Sequence, residues 1–184
     1  KNGGGILSTV KETRETSYQN LLEISHKRLD RFLSYGVTTV EGKSGYGLDK
    51  KTELKQLKIM QELDERTDID VISTFLGAHA VPKEYDSSDQ YIDYIIEEVM
   101  PEVAENELAE FCDVFCDEGA FSYQESEKLL KAAKKMGLKT ERRPVPVEEL
   151  ESFEEVGACG TAAIIAPIGE IKDLASGKVY NYCP

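Results

Sequence analysis

Histidine is scarce in this chain of 184 residues, which has two, His26 and His79. Two are too few for a three-histidine zinc centre built by the chain itself. Cysteine is sparse as well: Cys112, Cys116, Cys159 and Cys183 include no C-x2-C pair, which argues against a structural zinc site, and they lie too far apart for a disulfide scaffold. That usage fits a reducing, cytoplasmic compartment, with Cys112 and Cys116 expected as core residues of one apolar strand. No apolar stretch approaches the roughly 20 residues needed to span a bilayer. Basic residues are the minority charge, 22 against 35 acidic ones for a net charge of -13. Such a surface would repel phosphate backbones and anionic lipid, so neither nucleic acid nor membrane is an expected partner. The start, Lys1 to Gly5, has neither an initiator Met nor an apolar leader core, and a fragment or processed chain is expected.

What the chain does contain is enough apolar sequence for a core, 40% hydrophobic beside 31% charged residues. Leu21, Leu22, Leu29, Phe32 and Leu33 recur at helical spacing and Gly36 follows as a stop signal, which predicts a helix over 17–35. Val37-Thr38-Thr39-Val40 is a β-branched run too short for a helix, and reads as a buried strand. The alternation continues with a helix near 50–66, a strand near 69–78, a helix near 89–105, a strand near 111–116, a helix near 122–136 and a fourth strand beginning at 137–141. Strands alternating with helices imply parallel pairing, because each crossover helix returns the chain to the same edge of the sheet. The fold class is therefore α/β, about four βα units or half of a (β/α)8 barrel, with a doubly wound sheet as the alternative. Past Thr140 the character changes. Pro144 and Pro146 break regular structure, and 162–171 looks like two short strands around Pro167-Ile168-Gly169, a small β appendage beyond a boundary at about 140.

Three strand ends carry polar residues. Glu41-Gly42-Lys43-Ser44-Gly45-Tyr46-Gly47 follows the first strand, and its glycines allow a sharp turn and close approach to a ligand. The same loop is equally a glycine-rich turn with Lys43 and Tyr46 merely solvated. His79 ends the second strand, where a neutral imidazole can donate to or accept from a substrate, although a lone histidine at a strand end is more often structural. Asp117 and Glu118 close the third strand, and alternation lets at most one of them face a common rim. His26, on the polar side of its helix, is expected to be solvated.

The stretches Val40–Leu48, Thr74–Pro82 and Phe111–Cys116 resemble the imidazolonepropionases, and the likeness covers about residues 3–139. The resemblance implies a metal-dependent amidohydrolase of histidine degradation, a TIM barrel with an added β-domain. Its reaction is hydrolysis of the ring amide of 4-imidazolone-5-propanoate to N-formimidoyl-L-glutamate. It places Tyr46 and His79 at substrate-contacting positions, Asp117 where relatives carry another acid, and Lys43 and Glu41 as weaker candidates. The partner implied is a small carboxylated imidazolone. The family's zinc or iron is held by an H-x-H pair, a later His and an Asp, and it activates the attacking water. The chain begins downstream of the H-x-H, and Glu141-Arg142-Arg143-Pro144 stands where an H-A-D-E motif is due. Three metal ligands and the general base are then missing, no cofactor is expected in this chain alone, and negligible turnover follows.

After Thr140 the stretches Arg142–Leu150 and Gly157–Ala163 resemble the C-terminal part of a branched-chain aminotransferase. That likeness implies a turn at Gly160, Thr161 and Ala162 suited to a carboxylate or to the phosphate of pyridoxal phosphate (PLP). The family's cofactor lysine lies in sequence that this chain does not contain, so PLP is not expected here and a small hairpin appendage is the simpler expectation. Beside the hydrolase stand two further expectations. One is a binding module retaining Tyr46 and His79, prone to self-association through open sheet edges. The other is a chimera whose parts fold locally and serve no function.

Overall fold

A computed structural model of the chain describes residues 6–140, 146–153, 157–158 and 166–182. It divides into two compact units, Lys1–Thr140 and Glu141–Pro184. In the first, helices α1 (Ile6–Glu15) and α2 (Tyr18–Ser34) precede strand β1 (Thr39–Lys43), and α3 (Lys50–Arg66) leads to β2 (Asp70–Ala78). A helical stretch made of α4 (Ser88–Tyr94), a π turn (Ile95–Val99) and α5 (Met100–Glu105) then leads to β3 (Phe111–Val114), and α6 (Tyr123–Lys135) follows.

Each boundary has a local cause. Ser17 accepts from Asn20 N–H and Asp49 from Thr52 N–H, satisfying donors that a helix start leaves without partners. Ser122 and Glu125 form a reciprocal capping box at the start of α6. Helix α2 ends where Gly36 takes a φ of +86°, with Gly36 N–H bonded to Leu33 O and Val37 N–H to Phe32 O, the paired bonds of a Schellman stop. The expected single helix over 89–105 is present but loosened in its middle: the π turn ends at Val99, and Pro101, which has no N–H to give, stands at the start of α5.

The three strands form one parallel sheet in the order β1-β2-β3. Thr39 lies opposite Asp70 and Lys43 opposite Thr74, while Thr74 lies opposite Phe111 and the register shifts between Phe75 and Ala78. Phe75, Leu57, Ile92, Met100, Val103, Phe121, Leu129 and Ala133 belong to one apolar cluster, and Leu22, Leu29, Ile59, Leu63, Ile69 and Val71 to a second that joins α2 and α3 to the sheet. Each of these side chains larger than alanine contributes about 1.5–3 kcal/mol on burial, so these clusters outweigh any surface ion pair. Among the described residues no helix is long and apolar enough to cross a membrane.

Four expectations need correction. The first strand, expected to be buried over 37–40, runs instead over Thr39–Lys43 with its side chains half-buried or exposed. Strand β3 ends at Val114, where Cys116 N–H turns back onto Val114 O, so of this pair Cys116 is exposed and Cys112 lies in the core. Burial, with the Asp113 charge beside it, pushes the Cys112 thiol up to about 12. Asp117 and Glu118 therefore do not close the strand but occupy the following turn, both exposed. The fourth strand is a single parallel bridge from Lys139 to Phe111 among the described residues.

The second unit contains a 3-10 turn (Val147–Ser152) and strands β4 (Gly157–Ala158), β5 (Ala166–Pro167), β6 (Glu170–Lys172) and β7 (Val179–Asn181). Two short strands do flank Ile168-Gly169, but they do not pair with each other: β4 pairs with β5 and β6 with β7, both antiparallel. Asp173 organises the β6–β7 turn, accepting from Ala175 N–H at 2.9 Å and from Ser176 N–H at 3.2 Å. Tyr182 donates to Leu150 O at 2.8 Å. Gly160, Thr161 and Ala162 lie outside the described residues.

Candidate functional site at the strand ends

Parallel strands deliver the residues after their C-terminal ends to one side of a sheet, the side on which α/β proteins bind ligands. Here the loop after β1, His79 directly after β2 and Phe115 directly after β3 meet. The Tyr46 and His79 rings pack edge to face with centroids 5.0 Å apart, and His79 meets Phe115 in the same way at 5.9 Å. His79 Nδ1 is 3.0 Å from Gly45 O. Phe115 N–H donates to Ala78 O at 2.9 Å, which ties the third strand end to the peptide before His79.

The loop has little freedom. Gly45 sits at a φ of +95°, and a Cβ there would stand 2.6 Å from Leu76 O and 2.9 Å from His79 Cβ, so only glycine lets the histidine lie this close to the backbone. Ser44, fully buried, donates its N–H to Thr74 O at 3.1 Å and accepts from Leu76 N–H at 3.0 Å, fastening β1 to β2 just before the loop. Glu53, 1% exposed in the first turn of α3, accepts from the backbone N–H of Gly45, Gly47 and Leu48 at 2.9, 2.8 and 2.9 Å. Arg14 donates to Gly47 O at 2.7 Å and pairs with Asp49 and Glu84, both at 2.8 Å. Burial alone would lower the Arg14 pKa, and the hydrogen bond and charge of Glu84 with the charge of Asp49 outweigh it.

The weaker candidates form a separate charged ladder. Lys43 Nζ is 2.8 Å from Asp113 and 3.5 Å from Glu41, and Glu41 accepts from Thr74 Oγ1 at 2.7 Å. Burial alone would lower the Lys43 pKa, but the hydrogen bond to Asp113 and the charges of Asp113 and Glu41 hold the ammonium above its ordinary value. Lys43 is thus charged and already neutralised. Asp117 makes its own turn, accepting from Glu118 N–H at 2.7 Å and Ala120 N–H at 3.1 Å. Among the described residues no hydrogen bond or ring contact joins it to Tyr46 or His79. His26 is half-exposed on α2, 3.2 Å from Asp30. A cavity of about 300 Å³ opens beside Lys43 and Tyr46, with Leu21, Arg28, Ile59 and Met60 among its walls.

Neither Glu53 nor Tyr91 stands out in the sequence. Tyr91 donates its hydroxyl to Gly77 O at 2.9 Å, beneath the His79 strand end, and burial pushes its phenol pKa up. For Glu53 there was a signal. It stands one helical turn before Leu57, on the buried face of α3, where a carboxylate needs partners. Among the described residues no group of three or more His, Cys, Asp or Glu side chains could hold a metal ion.

An imidazolonepropionase of Clostridium tetani is 49% identical over 182 residues, 96% of this chain and 43% of that protein. One of Alkaliphilus oremlandii is 54% identical over 140 residues, 76% of this chain and 33% of its own length. One of Bacteroides thetaiotaomicron is 49% identical over 174 residues, 93% of this chain and 40% of its own. The chain thus spans about two fifths of the first of these relatives. Identity of this order over most of the chain makes these proteins its homologues and supports the imidazolonepropionase family. Because matches covering 96% of the chain take in most of the residues beyond Thr140, the comparisons give no support to an aminotransferase likeness there. No protein-family model matches the chain.

Proposed function

We propose that the first unit is a segment of an imidazolonepropionase barrel whose strand ends bind the ring of 4-imidazolone-5-propanoate. The observation that carries this is the meeting of Tyr46 and His79 at adjoining ends of parallel strands, their rings 5.0 Å apart. The imidazole supplies a hydrogen bond to a planar ring, and Phe115 limits where that ring can lie. Among the described residues the Tyr46 hydroxyl has no hydrogen-bond partner, which leaves it for the ligand's carboxylate, whereas Lys43 is already occupied by Asp113 and Glu41.

Hydrolysis of the ring amide is the reaction of the family, and when bound its zinc or iron supplies the activated water. Among the described residues no group of side chains could hold that ion, and the share we assign to this chain is to bind and orient the ring in a cytoplasmic setting, with negligible turnover of its own. Calorimetric titration with 4-imidazolone-5-propanoate tests this. Saturable binding is expected, lost in His79→Ala at unchanged circular dichroism, with no product formed. Stoichiometric zinc or iron in the purified chain, with hydrolysis abolished by a chelator, would show that the chain is catalytic. Absence of saturable binding would remove the proposed rim.

A further inference from the structure

We infer that Glu53 is a positioning residue: by fixing the Gly45 carbonyl it holds His79 as the Nδ1–H tautomer, leaving Nε2 bare to accept a hydrogen bond from a ring N–H of the ligand. This rests on the assignment of Tyr46 and His79 to the ligand rim. Both Glu53 oxygens are engaged, Oε2 by Gly45 N–H at 2.9 Å, and Oε1 by Gly47 N–H at 2.8 Å, Leu48 N–H at 2.9 Å and, more weakly, Gln56 Nε2 at 3.4 Å. The backbone donors bracket Tyr46, so one buried carboxylate determines the course of the chain on both sides of the ligand-facing phenol. Such a cradle of N–H groups is built for an anion, and here the anion is a side chain of the next helix.

The consequence for His79 is chemical. The Gly45 oxygen 3.0 Å from Nδ1 can only accept, so Nδ1 carries the proton, and the neutral ring then has a lone pair on Nε2. Edge contacts to Tyr46 at 5.0 Å and Phe115 at 5.9 Å keep the ring from turning over. An acceptor in this position selects an N–H donor, as on a lactam or imidazolone ring, and rejects a ring that offers a carbonyl or ether oxygen alone. A carboxylate that served only to cap α3 would leave the tautomer indifferent to its removal.

The test uses the full chain labelled with 15N-histidine and long-range proton–nitrogen correlation at alkaline pH, with half-exposed His26 as the reference ring. Wild type is expected to show His79 protonated at Nδ1. Glu53→Ala is expected to lose that form toward the mixture of a free ring, and added formate, a carboxylate able to enter the vacated cradle, to restore it. Imidazole-4-propionate serves as the binding probe; its affinity is expected to fall at least about tenfold in Glu53→Ala, the loss of one good hydrogen bond, and to recover with formate. If Glu53→Ala does not fold, Glu53→Gln, which keeps the packing and one acceptor oxygen, is held to the same comparison. A wild-type His79 protonated at Nε2, or a tautomer that survives loss of the carboxylate, overturns the positioning role. If wild type does not bind the probe while the tautomer and its rescue are intact, the ligand rim fails and the positioning stands.

Discussion

Gly45 is the position where one added methyl group meets the most resistance. Its φ of +95° disfavours any side chain, and the new Cβ would lie 2.6 Å from the Leu76 carbonyl oxygen. Gly45→Ala is expected to cost at least about 1–3 kcal/mol from the backbone conformation alone, read from urea unfolding, and to abolish ring binding even where the variant still folds. His79 and Tyr46 were legible because a glycine-rich loop and a strand-end histidine are local patterns. Glu53 was legible only as a carboxylate on the buried face of α3, and its partners were not, because they appear only when the loop is folded back over the helix start. Cys116 misled for the opposite reason: Phe111–Cys116 is apolar in sequence, but the strand leaves the sheet after Val114 and the last two residues are exposed.

Among the elements, helix boundaries were the most legible and strand ends the least. Helix α3 matches its expected 50–66 because Asp49 caps it and its apolar stripe is regular, whereas the interruption at 95–99 has no signal except Pro101 downstream. The ends of β1 and β3 moved, while β2 kept its expected end at Ala78, because pairing, which is non-local, decides them: β1 extends to Lys43 where Thr74 offers a partner. The capping box of α6 permits a quantitative expectation. Burial alone would raise the Glu125 pKa, but bonds from Ser122 and Ser88 and the Lys128 charge hold it below the usual carboxylate range. Its contribution to stability is present above a carboxyl's ordinary value of about 4.3 and is lost as pH falls through the lower folded value. Ser122→Ala is expected to cost about 0.5–2 kcal/mol at neutral pH. The gap from wild type should narrow in acid, and urea midpoints measured across pH would show it. A gap independent of pH would mean that Glu125 draws nothing from Ser122.

At the scale of the whole molecule, the alternation of strands and helices carries the α/β class, and three motifs at strand ends carry the family likeness. Neither could reveal the packing that makes a rim of Tyr46, His79 and Phe115 while leaving Asp117 apart. The change of character at Thr140 coincides with the start of the second compact unit, Glu141–Pro184, and the relatives that match 96% of the chain extend into it. With a net charge of -13, the carboxylated ring proposed as ligand would have to be held by a few well-placed donors and not by the field of the protein as a whole. The most direct test of the central claim is backbone chemical-shift mapping of the chain titrated with imidazole-4-propionate. The rim predicts saturable shifts concentrated at Gly45–Gly47, His79–Ala80 and Phe115–Cys116, with Asp117 and His26 little changed. Shifts confined elsewhere in the chain, or no saturable shifts at all, would contradict it.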